Sequence, residues 1–93
     1  MAIVEITTFR PKPGREGDVL AADRRVQVDF AYRQPGLVRR TTARGGHRWV
    51  VVELWATEAA ADDAARRRVN DVGWSELAAL VDDVTTERFS TLE

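Results

Sequence analysis

The segment HRWVVVELWAT at residues 47–57 constrains the fold more than any other stretch of this chain. Successive side chains of a β-strand point to opposite faces, so a strand here would have two very different faces. One face holds Trp49, Val51, Glu53 and Trp55. The other face is wholly apolar and holds Val50, Val52 and Leu54. A strand without a solvated face is expected inside a sheet that is covered on both sides.

The remaining hydrophobic periodicity predicts three further strands, two long helices and one short helix. Gly45 and Gly46 are typical of a tight turn and join the second and third strands as a hairpin. The predicted strands are residues 2–9, 37–44, 47–56 and 84–92. The predicted helices are residues 16–33, 58–69 and 74–81. Thr57 is placed to cap the second helix, and Gln34-Pro35 ends the first one.

The element order β-α-β-β-α-β predicts a ferredoxin-like α+β fold, a single domain over residues 1–93. Its sheet has four antiparallel strands in the order 4-1-3-2, and the helices cover one face. The other face would be apolar and bare, and a second copy of the chain is the simplest cover for it. We therefore expect a homodimer through Val4, Ile6, Val50, Val52 and Leu54.

Composition excludes several classes of partner. The formal net charge of -1 argues against a nucleic-acid or anionic-membrane surface as the main partner. The absence of cysteine excludes a cysteine-ligated metal and a thiolate nucleophile, and the single histidine excludes a multi-histidine metal cluster. No apolar run approaches the ~18 residues of a membrane span, so we expect a soluble, cytoplasmic protein. Arg39, Arg40 and Arg44 lie on the predicted edge strand, where we expect them to keep that edge soluble.

Three motifs resemble the antibiotic biosynthesis monooxygenase family of dimeric α+β barrels. They are PKPG at Pro11–Gly14, PGL at Pro35–Leu37 and VELWATEAA at Val52–Ala60. The resemblance covers nearly the whole chain and implies a cavity between the sheet and the helices of each subunit. Some members oxygenate aromatic polyketides or quinols without metal or flavin, and others degrade haem.

The resemblance also implies roles for single positions. Trp55 matches the family tryptophan that lines the cavity. Thr7 stands where haem-degrading relatives have an asparagine, and the second helix has no histidine for iron, so haem degradation is not expected. Relatives that oxygenate polyketides have an asparagine at the position of Val51 and a tyrosine at that of Ala61.

A cofactor-independent oxygenase needs a base that deprotonates a phenol or quinol, and a desolvated carboxylate is suited to that task. Glu53 is the candidate base, and Glu5 projects to the same side if the register follows the family. Arg88 would hold the anion that forms or pair with a carboxylate. The other candidate substrate-binding residues are Thr7, Trp49, Trp55 and Trp74.

Three functions stay open on the sequence. The first is a cofactor-independent monooxygenase that acts on a small aromatic polyketide- or quinol-like compound in secondary metabolism. The second is an aromatic polyketide cyclase. The third is a non-catalytic dimer that binds a small molecule or is purely structural, in which Glu53 and Glu5 simply pair with arginines.

Overall fold

The computed structural model describes all residues from Met1 to Glu93 and confirms the predicted ferredoxin-like α+β fold. The four strands are β1 (Ile3–Pro11), β2 (Leu37–Arg44), β3 (Trp49–Trp55) and β4 (Val81–Ser90). Every neighbouring pair is antiparallel. The sheet order β2-β3-β1-β4 is the predicted order 4-1-3-2 seen from the other edge.

Three helices connect these strands, namely α1 (Glu16–Asp29), α2 (Glu58–Arg68) and α3 (Val72–Ala78). The Thr57 hydroxyl accepts a hydrogen bond from the Ala60 backbone N–H at 3.1 Å, which confirms the predicted cap of α2. Asp71 caps α3 in the same way, through the Trp74 N–H at 2.9 Å. None of these helices has the length and apolar character that crossing a membrane requires.

The ends of several elements differ from the prediction. Helix α1 stops at Asp29, because Phe30 leaves the helical region and a 3-10 turn at Ala31–Arg33 completes the segment. Helix α3 begins two residues early, because Asp71 provides its cap. Strand β4 begins early, at Val81, which pairs with Pro11, and a bulge at residues 83–84 interrupts its pairing with β1.

The helices pack on one face of the sheet and form two separate apolar clusters there. The large cluster joins α1 and α3 to one end of the sheet. Its buried members are Phe9, Val19, Ala22, Val26, Trp49, Val51, Leu77 and Val81. The small cluster joins α2 to the other end, through Ile3, Trp55, Ala61 and Ala64.

The face of the sheet away from the helices is open in the single chain. Val4, Ile6, Val50 and Leu54 are half-buried there, whereas Val52 is 37% exposed. Phe89 of β4 lies beside Val4 in the register and is 48% exposed. The centre of this face therefore has the apolar composition that the sequence predicts, and Glu87 of β4 and Arg39 of β2 flank it.

Candidate functional site

A row of four charged side chains crosses the sheet between the two apolar clusters. In the strand register Glu5 of β1 is opposite Glu53 of β3, with Arg40 of β2 beside Glu53 and Arg88 of β4 beside Glu5. All four face the helices, because each occupies the same row of the pleat. The fold therefore brings Glu53, Glu5 and Arg88 together, as the candidate site requires.

Glu53 is buried, and its two carboxylate oxygens differ in their hydrogen-bond partners. Oε2 accepts a hydrogen bond from Arg40 Nε at 3.2 Å. Oε1 lies 3.8 Å from Arg68 Nη2, which is longer than a hydrogen bond. Burial raises the pKa of Glu53, and the negative charge of Glu5 adds to this, whereas Arg68 and Arg40 act in the opposite direction. The net direction is upward, so this carboxyl group holds its proton more strongly than an ordinary glutamate.

Arg40 is the main partner of Glu53, and its side chain is wholly buried. Its Nη2 donates to Asp23 Oδ1 on α1 at 2.7 Å, and its Nη1 donates to Gln27 and Thr42. The expectation that Arg40 keeps the sheet edge soluble is therefore wrong. The register shift between Leu37 and Arg39 turns Arg40 inward, whereas Arg39 and Arg44 are exposed.

Arg88 is paired with two carboxylates at the other end of the row. Its Nε donates to Glu5 Oε2 at 2.7 Å, and its Nη1 donates to Asp62 Oδ1 of α2 at 2.6 Å. The hydrogen bonds to Asp62 and Glu5 raise the pKa of Arg88. Glu5 is thereby held as the partner of Arg88 while it remains a neighbour of Glu53.

An apolar pocket of about 80 Å³ lies next to this row, between the sheet and α3. Thr7 and Trp74, two of the predicted substrate-binding residues, line it together. The other lining residues are Phe9, Val51, Leu77, Ala78, Val81 and Val84. The Thr7–Val51 row of the sheet adjoins the Glu5–Glu53 row, so the carboxylates and the pocket are neighbours.

The remaining two tryptophans lie on either side of Glu53 along β3 but in different clusters. Trp49 packs against Phe9 with ring centroids 6.1 Å apart, and the Arg44 guanidinium lies 5.6 Å from its ring. Trp55 is almost fully buried against α2 in the small cluster. Neither of them lines the pocket under α3.

A wider groove of about 420 Å³ runs along the outside, between α1 and the edge strand β2. Arg40, Asp23 and Trp49 contribute to its wall. Arg40 already donates to four groups, and the groove is open to solvent on its outer side. The enclosed pocket under α3 is the better candidate for an aromatic ligand, since its walls are almost wholly apolar.

Arg68 is the residue of the site that sequence reasoning missed. Its guanidinium lies 4.5 Å from the centre of the Trp74 ring and also faces Glu53. In the sequence, the basic run at residues 66–68 indicates only a charge that suits the negative end of the dipole of α2. A usable signal was present, because Arg68 follows Ala61 and Ala64 at helical spacing on the buried stripe of α2.

No three histidine, cysteine or carboxylate side chains converge in a way that would hold a metal ion. The chemistry available at the site is that of a desolvated carboxylate, guanidinium groups and indole N–H groups beside an apolar space. Such a set can move a proton and hold an anion.

Comparison with solved structures extends the picture of the fold. The chain is similar to SnoaB, a cofactor-independent oxygenase from Streptomyces nogalater, with 23% identity and a TM-score of 0.76 over 99% of this chain and 94% of SnoaB. A Bordetella bronchiseptica protein named for antibiotic biosynthesis monooxygenases gives 20% identity and a TM-score of 0.81, covering 99% and 98% of the two chains. Protein SO0527 from Shewanella oneidensis has 21% identity and a TM-score of 0.76, over 95% of this chain and 88% of that protein.

At these identities the likeness concerns the fold alone. No curated protein matches the sequence. The model of the antibiotic biosynthesis monooxygenase family matches residues 2–68, which include the first three strands, α1 and α2. On the strength of that match, the chain belongs to the antibiotic biosynthesis monooxygenase family.

Proposed function

We propose that this protein is a cofactor-independent monooxygenase that acts on a small aromatic compound with an acidic hydroxyl or methylene group, such as a quinol or an anthrone. The observation that carries the proposal is Glu53, a buried carboxylate with a raised pKa beside an apolar pocket. Family membership and the fold shared with SnoaB, itself a cofactor-independent oxygenase, support the same chemistry.

Glu53 acts as the general base in this proposal. Oε2 is held by Arg40, and Oε1 is free of hydrogen bonds and accepts the substrate proton. A base whose pKa is raised toward the working pH takes a proton more effectively than an ordinary glutamate does. Arg88 fixes Glu5 beside Glu53, and the charge of Glu5 helps to keep the pKa of Glu53 high.

Deprotonation leaves an electron-rich carbanion or phenolate, which reduces molecular oxygen, the co-substrate of the reaction. For a methylene substrate, one oxygen atom becomes the new carbonyl group and the other leaves as water together with the two methylene hydrogens. The apolar walls around Thr7 and Trp74 hold the ring and keep water from the anion.

The pocket must widen to admit such a substrate. Its volume of about 80 Å³ is smaller than the ~150 Å³ of an engineered cavity that takes benzene. Helix α3 supplies Trp74, Leu77 and Ala78 to the wall and is only seven residues long. We propose that α3 moves outward when the ring enters.

A non-catalytic binding protein is the second candidate, and the pairing of both carboxylates favours it. Glu53 pairs with Arg40 and Glu5 pairs with Arg88, as structural ion pairs do. Val51 and Ala61 also stand in place of polar residues of the oxygenating relatives. On this alternative, the pocket binds an aromatic molecule without changing it.

The test is oxygen consumption with a panel of quinols and anthrones, without added metal. We expect turnover by the unmodified protein and a fall of about 10²–10⁴-fold for Glu53→Gln, the range that a general base typically supplies. Glu16→Gln is the matched control, because Glu16 is an exposed carboxylate at the start of α1, outside both the charged row and the open face of the sheet, and it should retain full activity.

Full activity of Glu53→Gln on a compound that the unmodified protein oxidises would show that the base is assigned wrongly. If the compounds bind but no oxygen is consumed and no product forms, the protein is the non-catalytic binding protein and not an oxygenase. A product formed without oxygen consumption would instead indicate a cyclase.

A further inference from the structure

Three buried side-chain nitrogens of the site have no hydrogen-bond partner in the chain. They are Trp55 Nε1, Arg68 Nε and Trp74 Nε1. Buried donors are nearly always paired in folded proteins, because an unpaired one destabilises the fold. Unpaired donors next to a candidate pocket therefore indicate an acceptor that the chain itself does not supply.

Two of these donors belong to groups in direct contact. The Arg68 guanidinium lies 4.5 Å from the centre of the Trp74 ring, and Trp74 lines the apolar pocket. The same guanidinium places Nη2 3.8 Å from Glu53 Oε1. Arg68 thus lies between the wall of the pocket and the candidate base.

The two arginines of the charged row, Arg40 and Arg88, already donate to groups of the chain. Every nitrogen of the wholly buried Arg40 guanidinium donates to a neighbour. Arg88 donates to Glu5 and Asp62 through Nε and Nη1. Arg68 makes no side-chain hydrogen bond within the chain, so its donors are not used by the protein itself.

We propose that Arg68, together with the Trp74 indole N–H, binds the oxyanion of an aromatic hydroxyl compound at the moment when Glu53 removes its proton. This inference rests on the proposed function and deepens it by naming the residue that recognises the ionised substrate. In this proposal Arg68 binds the anion, whereas the sequence assigned the binding of the anion to Arg88.

The proton and charge balance of the step is simple. The O–H bond of the substrate breaks, the proton passes to Glu53 Oε1, and the electron pair stays on the substrate oxygen. The negative charge thereby moves from Glu53 to the substrate oxygen. Arg68 faces one negative charge before the transfer and one after it. Its unpaired Nε and the indole N–H supply two hydrogen bonds to the anion.

The test measures ionisation of a bound phenol, which does not depend on turnover. A nitrophenol is titrated into the protein, and its ionised form is followed by its visible absorbance. We expect the unmodified protein to bind the phenolate in preference to the neutral phenol. Arg68→Met should weaken phenolate binding by about 10- to 100-fold, the effect of losing a charged hydrogen bond.

Two further variants make the test specific. Arg68→Lys keeps the charge but has no Nε–H group, so it should restore only part of the phenolate preference. Arg67→Met is the matched control, because the adjacent Arg67 is exposed and donates to Gln34. It should bind the phenolate as the unmodified protein does.

The inference and the proposed function fail in different ways. A phenolate preference that survives in Arg68→Met but disappears in Arg88→Met would overturn the inference and return the anion to Arg88. Glu53→Gln would then still lose oxygenase activity. No binding of the nitrophenol by the unmodified protein would contradict both.

Discussion

Glu53 is subject to opposing influences from every element that packs around it. Arg40 of β2 and Arg68 of α2 stabilise its charge, whereas Glu5 of β1 and the loss of water destabilise it. Asp23 of α1 competes for Arg40, the hydrogen-bond partner of Glu53. Burial is the largest of these influences, which is why the pKa of Glu53 is raised in spite of two neighbouring arginines.

The raised pKa of Glu53 predicts how stability depends on pH. Between the ordinary value of 4.5 and the higher pKa of the folded state, the folded chain binds a proton that the unfolded chain has released. The free energy of unfolding should therefore fall as pH rises through this window, by at most ~1.4 kcal/mol per pH unit. Urea unfolding at a series of pH values measures it, with Glu53→Gln as the comparison.

The difference in the free energy of unfolding between the unmodified protein and Glu53→Gln isolates this one group from all other titrating groups. It should shift in favour of the variant as pH rises and level off above the pKa of the folded state. A difference that stays constant, or that shifts in favour of the unmodified protein, would contradict the raised pKa.

The sequence predicted the position of Glu53 correctly but not its main partner. Strand alternation is a local property of β3, so it placed Glu53 between Trp49 and Trp55 on one face, and all three are buried. Arg40 depends on a register shift in another strand. One residue of shift moves a side chain to the opposite face, and nothing in the sequence of β2 marks where this occurs.

Among the elements, the start of β2 is joined tightly to the start of α2 through Gly36. Gly36 has φ +87°, and its carbonyl oxygen accepts a hydrogen bond from the Ala56 N–H at 2.8 Å. A Cβ atom at this position would lie 2.5 Å from the Ala60 Cβ. The PGL motif therefore sets the distance between the edge strand and the helix that carries Arg68.

This close approach predicts the effect of Gly36→Ala. The left-handed backbone should destabilise the variant by ~1–2 kcal/mol, and the overlap with Ala60 should add ~1–3 kcal/mol. Gly46→Ala is the control, because a Cβ atom there meets nothing within 4 Å. Urea unfolding of both variants gives the comparison, and equal stabilities would show that the turn at Gly36 relaxes without strain.

The elements with clear periodicity were predicted well, and the errors are confined to their ends. The early start of β4 follows from a bulge opposite Phe9, where Asp83 adopts φ 53°. Aspartate tolerates this left-handed conformation better than most residues do. The bulge breaks the alternation over residues 81–84, so the sequence extended the preceding helix to Val81, although α3 ends at Ala78.

For the whole molecule, the charged row divides the interior into two small apolar clusters. A chain of 93 residues has a limited core, and here charged side chains occupy a full row of the sheet inside that core. Such a row is more easily explained by a task at the site than by stability, because hydrophobic residues of similar volume would often stabilise the fold as well or better.

The open face of the sheet leads to the last prediction, that the protein is a homodimer through Val4, Ile6, Val50, Val52 and Leu54. In a small domain with a divided core, an apolar face with Val52 and Phe89 exposed favours association with a second copy. Light scattering at micromolar concentration should give twice the chain mass of 10.4 kDa.

Val52→Asp tests which face forms the dimer. The substitution would bury an unpaired charge in the interface, which typically destabilises by several kcal/mol, so we expect unfolded or aggregated protein and not a stable monomer. Val72→Asp is the control, because Val72 is 71% exposed at the first residue of α3, where an aspartate is favourable. An unmodified protein that is monomeric and still unfolds cooperatively would refute the dimer, and a Val52→Asp variant that remains dimeric would place the interface elsewhere.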